Sequence, residues 1–195
     1  MSKHIPNIIT SIRIALLPFV YLFYLTDFVP YSQYIAIAIF IIAAATDFLD
    51  GMIARKFNLV SNVGKMLDPI ADKMLSYTGL FLIIVTDILP LWACVVIYFI
   101  NLCRDFAIDC LRMIAATKGT VLAANIFGKI KTIIAFVALP WLLLQGCLPT
   151  DWAGLTAFQI IGYVLIGAQT TFCLLSGIIY LAQNRRVLSN TTTSH

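Results

Sequence analysis

Charged residues are scarce in this sequence. Only 11% of the 195 residues are Asp, Glu, Lys or Arg, against about 25% in a typical soluble domain. Glutamate is absent altogether, so all nine acidic residues are aspartate. A folded surface with so few charges would aggregate in water, and a disordered chain would need a more polar composition. The scarcity of charge therefore excludes a soluble globular enzyme and a disordered protein.

Motifs built on cysteine and histidine are missing as well. The five cysteines lie scattered in apolar runs without a CxxC pair, and the two histidines, His4 and His195, stand at the chain ends. We interpret the cysteines as small packing residues. We expect no nucleic-acid partner.

Apolar residues dominate what is present. They make up 61% of the chain, and the mean hydropathy is +0.95. A membrane-spanning helix needs about 20 apolar residues, and turn-like or charged breaks divide the chain into segments of about that length. The sequence therefore predicts an all-α integral membrane protein with six transmembrane helices, at about 8–26, 33–50, 69–87, 90–112, 126–145 and 155–182.

The distribution of basic residues predicts the orientation. All 13 Lys and Arg residues fall in 1–13, 51–73, 104–131 and 183–195. The connections on the other side carry no basic residue, only Asp27, Asp87 and Asp151. Because basic residues collect on the cytoplasmic side of a membrane, we expect both termini to be cytoplasmic.

The two ends of the chain differ from its middle. The stretch Ser2–Arg13 is less apolar than the residues after it, and we expect a short interfacial segment that leads into a retained first helix rather than a signal peptide. Residues 1–185 are predicted to form a single six-helix domain. Residues 186–195 are predicted to be a disordered polar tail.

Four aspartates flank one predicted cytoplasmic connection. Asp47 and Asp50 are three residues apart, and Asp68 and Asp72 are four apart, so each pair shares a helix face. Like charges that converge in this way repel each other, and Mg²⁺, Mn²⁺ or Ca²⁺ would neutralise them. Two such ions can clamp a phosphoryl group. The alternative is a set of interfacial salt bridges to Arg55, Lys65 and Lys73.

The spacing of these residues is similar to a known family signature. Asp47-x2-Asp50-Gly51-x2-Ala54-Arg55-x8-Gly64-x3-Asp68-x3-Asp72 resembles the signature of the CDP-alcohol phosphatidyltransferases at all eight positions. The resemblance implies the CDP-alcohol phosphotransferase fold, a homodimer and a cytosol-facing polar cavity. It also implies two divalent metal ions, Mg²⁺ or Mn²⁺, and transfer of a phosphatidyl group from a CDP-linked lipid to an alcohol with release of CMP.

The resemblance also implies a role for each matching residue. Asp47, Asp50, Asp68 and Asp72 would bind metal, and Asp72 would also be the general base. The wall that holds the CDP-lipid would be formed by Gly51, Ala54, Arg55 and Gly64. Asn7 and Thr10 are assigned to the same CDP-lipid site, with helix capping as the alternative.

Further motifs indicate which alcohol is the acceptor. Ile5-Pro6-Asn7-x2-Thr10-x2-Arg13, Leu67-Asp68-Pro69-x-Ala71-Asp72-Lys73 and Gly128-Lys129-Ile130-Lys131-Thr132 are similar to members of the family that use CDP-diacylglycerol and sn-glycerol 3-phosphate. Asp105 follows Arg104 where glutamate is expected. Helical spacing places Arg104 and Arg112 on one face, and a phosphorylated acceptor needs such cations. The predicted acceptor-phosphate site is Arg104, Arg112, Lys129 and Lys131.

Several alternatives remain open from the sequence. Arg104 could pair with Asp105 or Asp109, and the lysines could anchor the protein near anionic membrane lipids. The acceptor could be inositol phosphate, serine or another alcohol. A cation transporter with the four aspartates as its transport site, or a non-catalytic scaffold, would be a different class of protein.

Overall fold

The computed structural model describes residues 5–26, 29–57, 62–120, 122 and 125–185, without the side chains of 5–7, 47–57, 62–66 and 68. Over these residues the chain forms six α-helices and no strand. The helices are α1 Ile5–Leu25, α2 Ser32–Phe57, α3 Asn62–Val85, α4 Leu91–Thr117, α5 Ile126–Gln145 and α6 Leu155–Gln183. The predicted tail 186–195 lies outside the described residues.

The helices match the six predicted segments but extend beyond several of them. The segment 51–68, predicted as a connection, is helical up to Phe57 and again from Asn62. Charged residues in this segment end the apolar run without ending the helix, because Arg and Lys are good helix formers. α4 likewise continues to Thr117, five residues past its predicted end.

The first helix also differs from the prediction. α1 is continuous from Ile5, with Pro6 in its first turn, where the missing N–H costs no hydrogen bond. Thr10 and Arg13 are buried inside the bundle, at 2% and 1% exposure. Residues 5–13 are therefore helical and continuous with the rest of α1, and their position at the membrane interface stays a prediction.

Length and hydropathy make this an integral membrane protein. α1, α4, α5 and α6 each contain a stretch long and apolar enough to cross a membrane. The described apolar part of α2 is shorter, Ser32–Thr46, and the first half of α3 carries Lys65, Asp68, Asp72 and Lys73. Large apolar side chains such as Trp92, Phe99 and Val164 are exposed on the outside of the bundle, as expected for surfaces that face lipid.

The helices pack around one apolar core. α1 packs against α2 and α3, α5 packs against α6, α3 and α2, and α4 packs against α6 and α3. The core residues Val20, Phe40, Leu82 and Leu142 are fully buried. Gly79 allows α3 to approach α5 closely, since a Cβ at Gly79 would lie 2.8 Å from Leu139 Cδ1 on α5.

Tyrosines connect the helices at the end of the bundle where residues 29–31, 86–90 and 146–154 lie. The Tyr24 hydroxyl donates to the Leu143 carbonyl at 2.7 Å, and the Tyr34 hydroxyl to that of Cys147 at 3.0 Å. The Tyr163 hydroxyl donates to the Ile88 carbonyl at 3.2 Å. We call this the tyrosine end.

Candidate active site

The signature residues lie on two consecutive helices at the end opposite the tyrosine end. Asp47 to Arg55 belong to the last turns of α2, and Gly64 to Asp72 belong to the first turns of α3. Of these eight residues, Asp72 is the one whose side chain is described. The side-chain positions of the other seven, and of Asn7, lie outside the described part of the chain, so convergence of the four carboxylates stays a prediction.

Asp72 lines a polar cavity of about 150 Å³ between α3, α4, α5 and α6. Four basic and three acidic side chains line this cavity, which makes its formal charge slightly positive. A positive charge attracts an anion more strongly where water is partly excluded. The charged lining residues are Asp72, Lys73, Arg104, Asp105, Asp109, Arg112 and Lys131.

Asp105 is the centre of the charge network in this cavity. Its Oδ1 atom accepts from Lys131 Nζ and from Arg104 Nη1, both at 2.8 Å. Its Oδ2 atom accepts from the Tyr77 hydroxyl at 3.1 Å. Lys131 is only 7% exposed, and a buried charge needs a partner of this kind. The carboxylate therefore holds one cation from α4 and one from α5 at the same side of the cavity.

Arg104 occupies a slot formed by small residues of α5 and α6. A Cβ on Gly128 would lie 2.8 Å from Arg104 Nη2, and one on Gly177 would lie 3.0 Å from Arg104 Cγ. Nη2 also donates to the Ser176 hydroxyl. Larger side chains at either glycine would displace the arginine, so the slot fixes the position of the guanidinium group.

A series of polar contacts joins α4 to α6 along the cavity. Gln169 Nε2 donates to Asn101 Oδ1 at 2.8 Å. At the other end, Arg112 Nε donates to the Tyr180 hydroxyl at 3.2 Å, and its guanidinium carbon lies 5.6 Å from the centre of that ring. These contacts follow the shared faces of two helices that pack side by side.

The predicted acceptor-binding residues fall into two groups. Arg104, Arg112 and Lys131 all line the cavity, although Arg112 is exposed. Lys129 is also exposed and does not line the cavity. The pairing of Arg104 with Asp105, one of the alternatives that the sequence left open, is present. This ion pair does not exclude phosphate binding by Arg104, since the guanidinium group also lines the cavity.

The cavity also contains residues that the sequence did not single out. Tyr77, Asn101 and Gln169 line it, and Ser176 holds Arg104. A signal was available for Asn101, a polar residue in an apolar run one helical turn before Arg104. Gln169 opens a short polar run, Gln169-Thr170-Thr171, and Ser176 is a single polar residue among apolar neighbours, both in the largely apolar α6.

Residues 3–183 match the CDP-alcohol phosphatidyltransferase family. The chain therefore belongs to this family. It is 36% identical over 196 residues to the CDP-diacylglycerol–glycerol-3-phosphate 3-phosphatidyltransferase of Bacillus subtilis (strain 168), which covers 95% of this chain and 97% of that protein. It is 35% identical over 163 residues to the enzyme of the same name from Escherichia coli (strain K12), covering 82% of this chain and 87% of that protein.

Members of the family generally use divalent metal ions. The donor chemistry fits, because Asp72 supplies a carboxylate to the cavity and oxygen ligands suit Mg²⁺ and Mn²⁺. Among the side chains that the structure describes, no three carboxylate, histidine or cysteine groups are arranged so that they could hold a metal ion together.

Proposed function

We propose that this protein transfers a phosphatidyl group from CDP-diacylglycerol to sn-glycerol 3-phosphate, giving phosphatidylglycerophosphate and CMP. One observation supports a phosphorylated acceptor over serine. Lys131 and Arg104, held 2.8 Å from one oxygen of Asp105, line the same cavity as Asp72. A phosphorylated acceptor needs cations beside the reacting centre, whereas serine needs fewer.

Asp72 is proposed as the general base. The acceptor hydroxyl gives its proton to the Asp72 carboxylate, and the hydroxyl oxygen becomes bonded to the phosphatidyl phosphorus while CMP leaves. The metal ligands are proposed to be Asp47, Asp50, Asp68 and Asp72. When bound, the metal ions supply charge neutralisation at the phosphoryl oxygens.

The two substrates are proposed to use different parts of the chain. The acceptor phosphate binds Lys131 and Arg104 inside the cavity, and weaker contacts nearer the solvent are assigned to the exposed Arg112 and Lys129. The CDP-lipid is assigned to α1, α2 and the start of α3. The buried position of Thr10, at 2% exposure on α1, is consistent with a contact inside the bundle. The assigned residues are Asn7, Thr10, Gly51, Ala54, Arg55 and Gly64.

We also propose that the protein is a homodimer in the bacterial cell membrane. All six helices would span the membrane, with both termini and the active site on the cytoplasmic side. The one-sided distribution of the 13 basic residues supports this orientation. Alkaline phosphatase fused after His195 should stay inactive, because the enzyme does not become active in the cytoplasm. An active fusion would reject the proposed cytoplasmic position of the C-terminus.

The homodimer is tested by mass. The mass of the purified protein after subtraction of bound detergent should equal two chains.

The reaction is tested by CMP release from the purified full-length protein. CDP-diacylglycerol in mixed micelles is offered with sn-glycerol 3-phosphate, inositol phosphate or serine, each with Mg²⁺ or Mn²⁺. We expect rapid CMP release when glycerol 3-phosphate is the acceptor, and slow release with inositol phosphate or serine. Faster CMP release with inositol phosphate or serine would reject glycerol 3-phosphate as the acceptor, although the protein would still be a phosphatidyltransferase.

A further inference from the structure

The polar cavity contains two neutral amides beside its charged groups. Asn101 and Gln169, each 2% exposed, line the cavity from α4 and α6. Asn101 lies one turn before Arg104 and Asp105 on α4. The amides therefore follow the cation pair, on the side of the cavity towards the tyrosine end, where Leu80, Ala135 and Leu139 also line it.

The hydrogen-bonding capacity of these amides is only partly used. Asn101 Nδ2 donates to the Ile97 carbonyl at 2.9 Å, and Gln169 Nε2 donates to Asn101 Oδ1 at 2.8 Å. Each NH₂ group carries two hydrogens, so one donor on each residue has no further partner within the described part of the chain. A buried donor left unsatisfied is costly, and a cavity allows a ligand to satisfy it.

The chemistry of these groups indicates what they bind. Lys131 and Arg104 supply the positive charge that a phosphate requires, and Asp72 faces the hydroxyl that reacts. A neutral amide suits an uncharged hydroxyl that does not react. Glycerol 3-phosphate has one such group, the secondary hydroxyl on its central carbon.

We propose that Asn101 and Gln169 form a specificity element that recognises the secondary hydroxyl of the acceptor. This inference rests on the proposed function and adds to it. A site that hydrogen-bonds a substrate hydroxyl discriminates against an analogue without it, because the buried polar groups are then left unpaired. The pair selects an acceptor with adjacent hydroxyls and disfavours phosphorylated alcohols that lack the second one.

The test compares glycerol 3-phosphate with 3-hydroxypropyl phosphate, which lacks only the secondary hydroxyl. Both are offered with CDP-diacylglycerol to the full-length protein, and CMP release gives kcat/KM for each. The wild type should prefer glycerol 3-phosphate by about tenfold or more. Gln169→Met has a similar shape without the donor. It should lose about tenfold with glycerol 3-phosphate, change little with the analogue, and have a preference close to one.

Gln145→Met is the matched control. Gln145 is also a buried glutamine, at 7% exposure, but it lies at the tyrosine end and does not line the cavity. The control should keep the wild-type preference. Gln169→Asn, which shortens the side chain and withdraws the donor, is a second variant that preserves an amide in the membrane. It should also lose much of the preference.

The outcomes separate this inference from the function beneath it. An unchanged preference in folded Gln169 variants would overturn the inference, and so would an equal loss with both acceptors, which indicates only a structural contact between α4 and α6. Equal use of both acceptors by the wild type would overturn it without any variant. Absence of CMP release with either acceptor would instead reject the proposed function.

Discussion

Replacing Lys131 with methionine is the most informative perturbation of the acceptor site. Lys131 is 7% exposed, and its Nζ atom lies 2.8 Å from Asp105 Oδ1. Methionine has a similar length and an apolar end, so the substitution removes the charge and leaves the packing largely intact. Asp105 keeps its contacts with Arg104 and Tyr77, so the change does not leave a buried carboxylate without a partner.

The magnitude follows from the burial of this cation. A charge-assisted hydrogen bond contributes about 1.5–3 kcal/mol. Since each 1.4 kcal/mol is a factor of ten, kcat/KM for glycerol 3-phosphate should fall by about 10- to 200-fold. The KM for CDP-diacylglycerol should change much less, because that substrate is assigned to other helices.

CMP release measured while each substrate is varied separately gives this comparison. Lys129→Met is the control, since Lys129 lies two residues away on α5 but is exposed and outside the cavity lining. It should change kcat/KM by only a few-fold. An equal effect on both substrates, or an equal effect of the two lysine variants, would refute the assignment of Lys131 to the acceptor phosphate.

Three further predictions concern the base, the metal and the slot that holds Arg104. Asp72→Asn should lower kcat by at least about 10²–10⁴-fold, because it removes the general base, while nucleotide binding measured by CDP titration is largely kept. EDTA should abolish CMP release, and added Mg²⁺ or Mn²⁺ should restore it. Gly128→Ala should raise KM for glycerol 3-phosphate several-fold, because its Cβ would lie 2.8 Å from Arg104 Nη2, whereas Gly167→Ala, with open space around its Cβ, should leave KM unchanged.

Each of these has an outcome that contradicts it. An Asp72→Asn variant within a few-fold of wild type would remove Asp72 as the base. Full activity in chelator would reject the metal requirement. Equal KM values for the two alanine variants would show that the slot does not position Arg104.

The sequence predicts the helices well and the cavity only in part. Apolar runs reveal each helix because the membrane requires them, but they cannot show that a helix continues past its apolar run, as α2 does to Phe57. Regular spacing puts Arg104 and Arg112 on one helix face, and both residues line the cavity. The pairing of Lys131 with Asp105 joins residues on different helices, and local periodicity contains no information on which helices become neighbours.

The same limit explains why Asn101 and Gln169 were missed. Each is an amide in a largely apolar helix, and the sequence does not show which residue it contacts. The two are 68 positions apart in the chain, so only the packing of α4 on α6 brings them together. Asp105 was treated as a departure from the expected glutamate, whereas the structure shows it as the centre of the charge network.

The tyrosine end has a consequence for how the bundle can move. There, three hydroxyl groups bind backbone carbonyls of other elements, and they join α1 to α5, α2 to the turn after α5, and α6 to the turn after α3. These contacts oppose separation of the joined helices at the tyrosine end. Widening to admit a bulky nucleotide is therefore expected at the α2–α3 and α4–α5 ends, where none of the three tyrosine contacts lies.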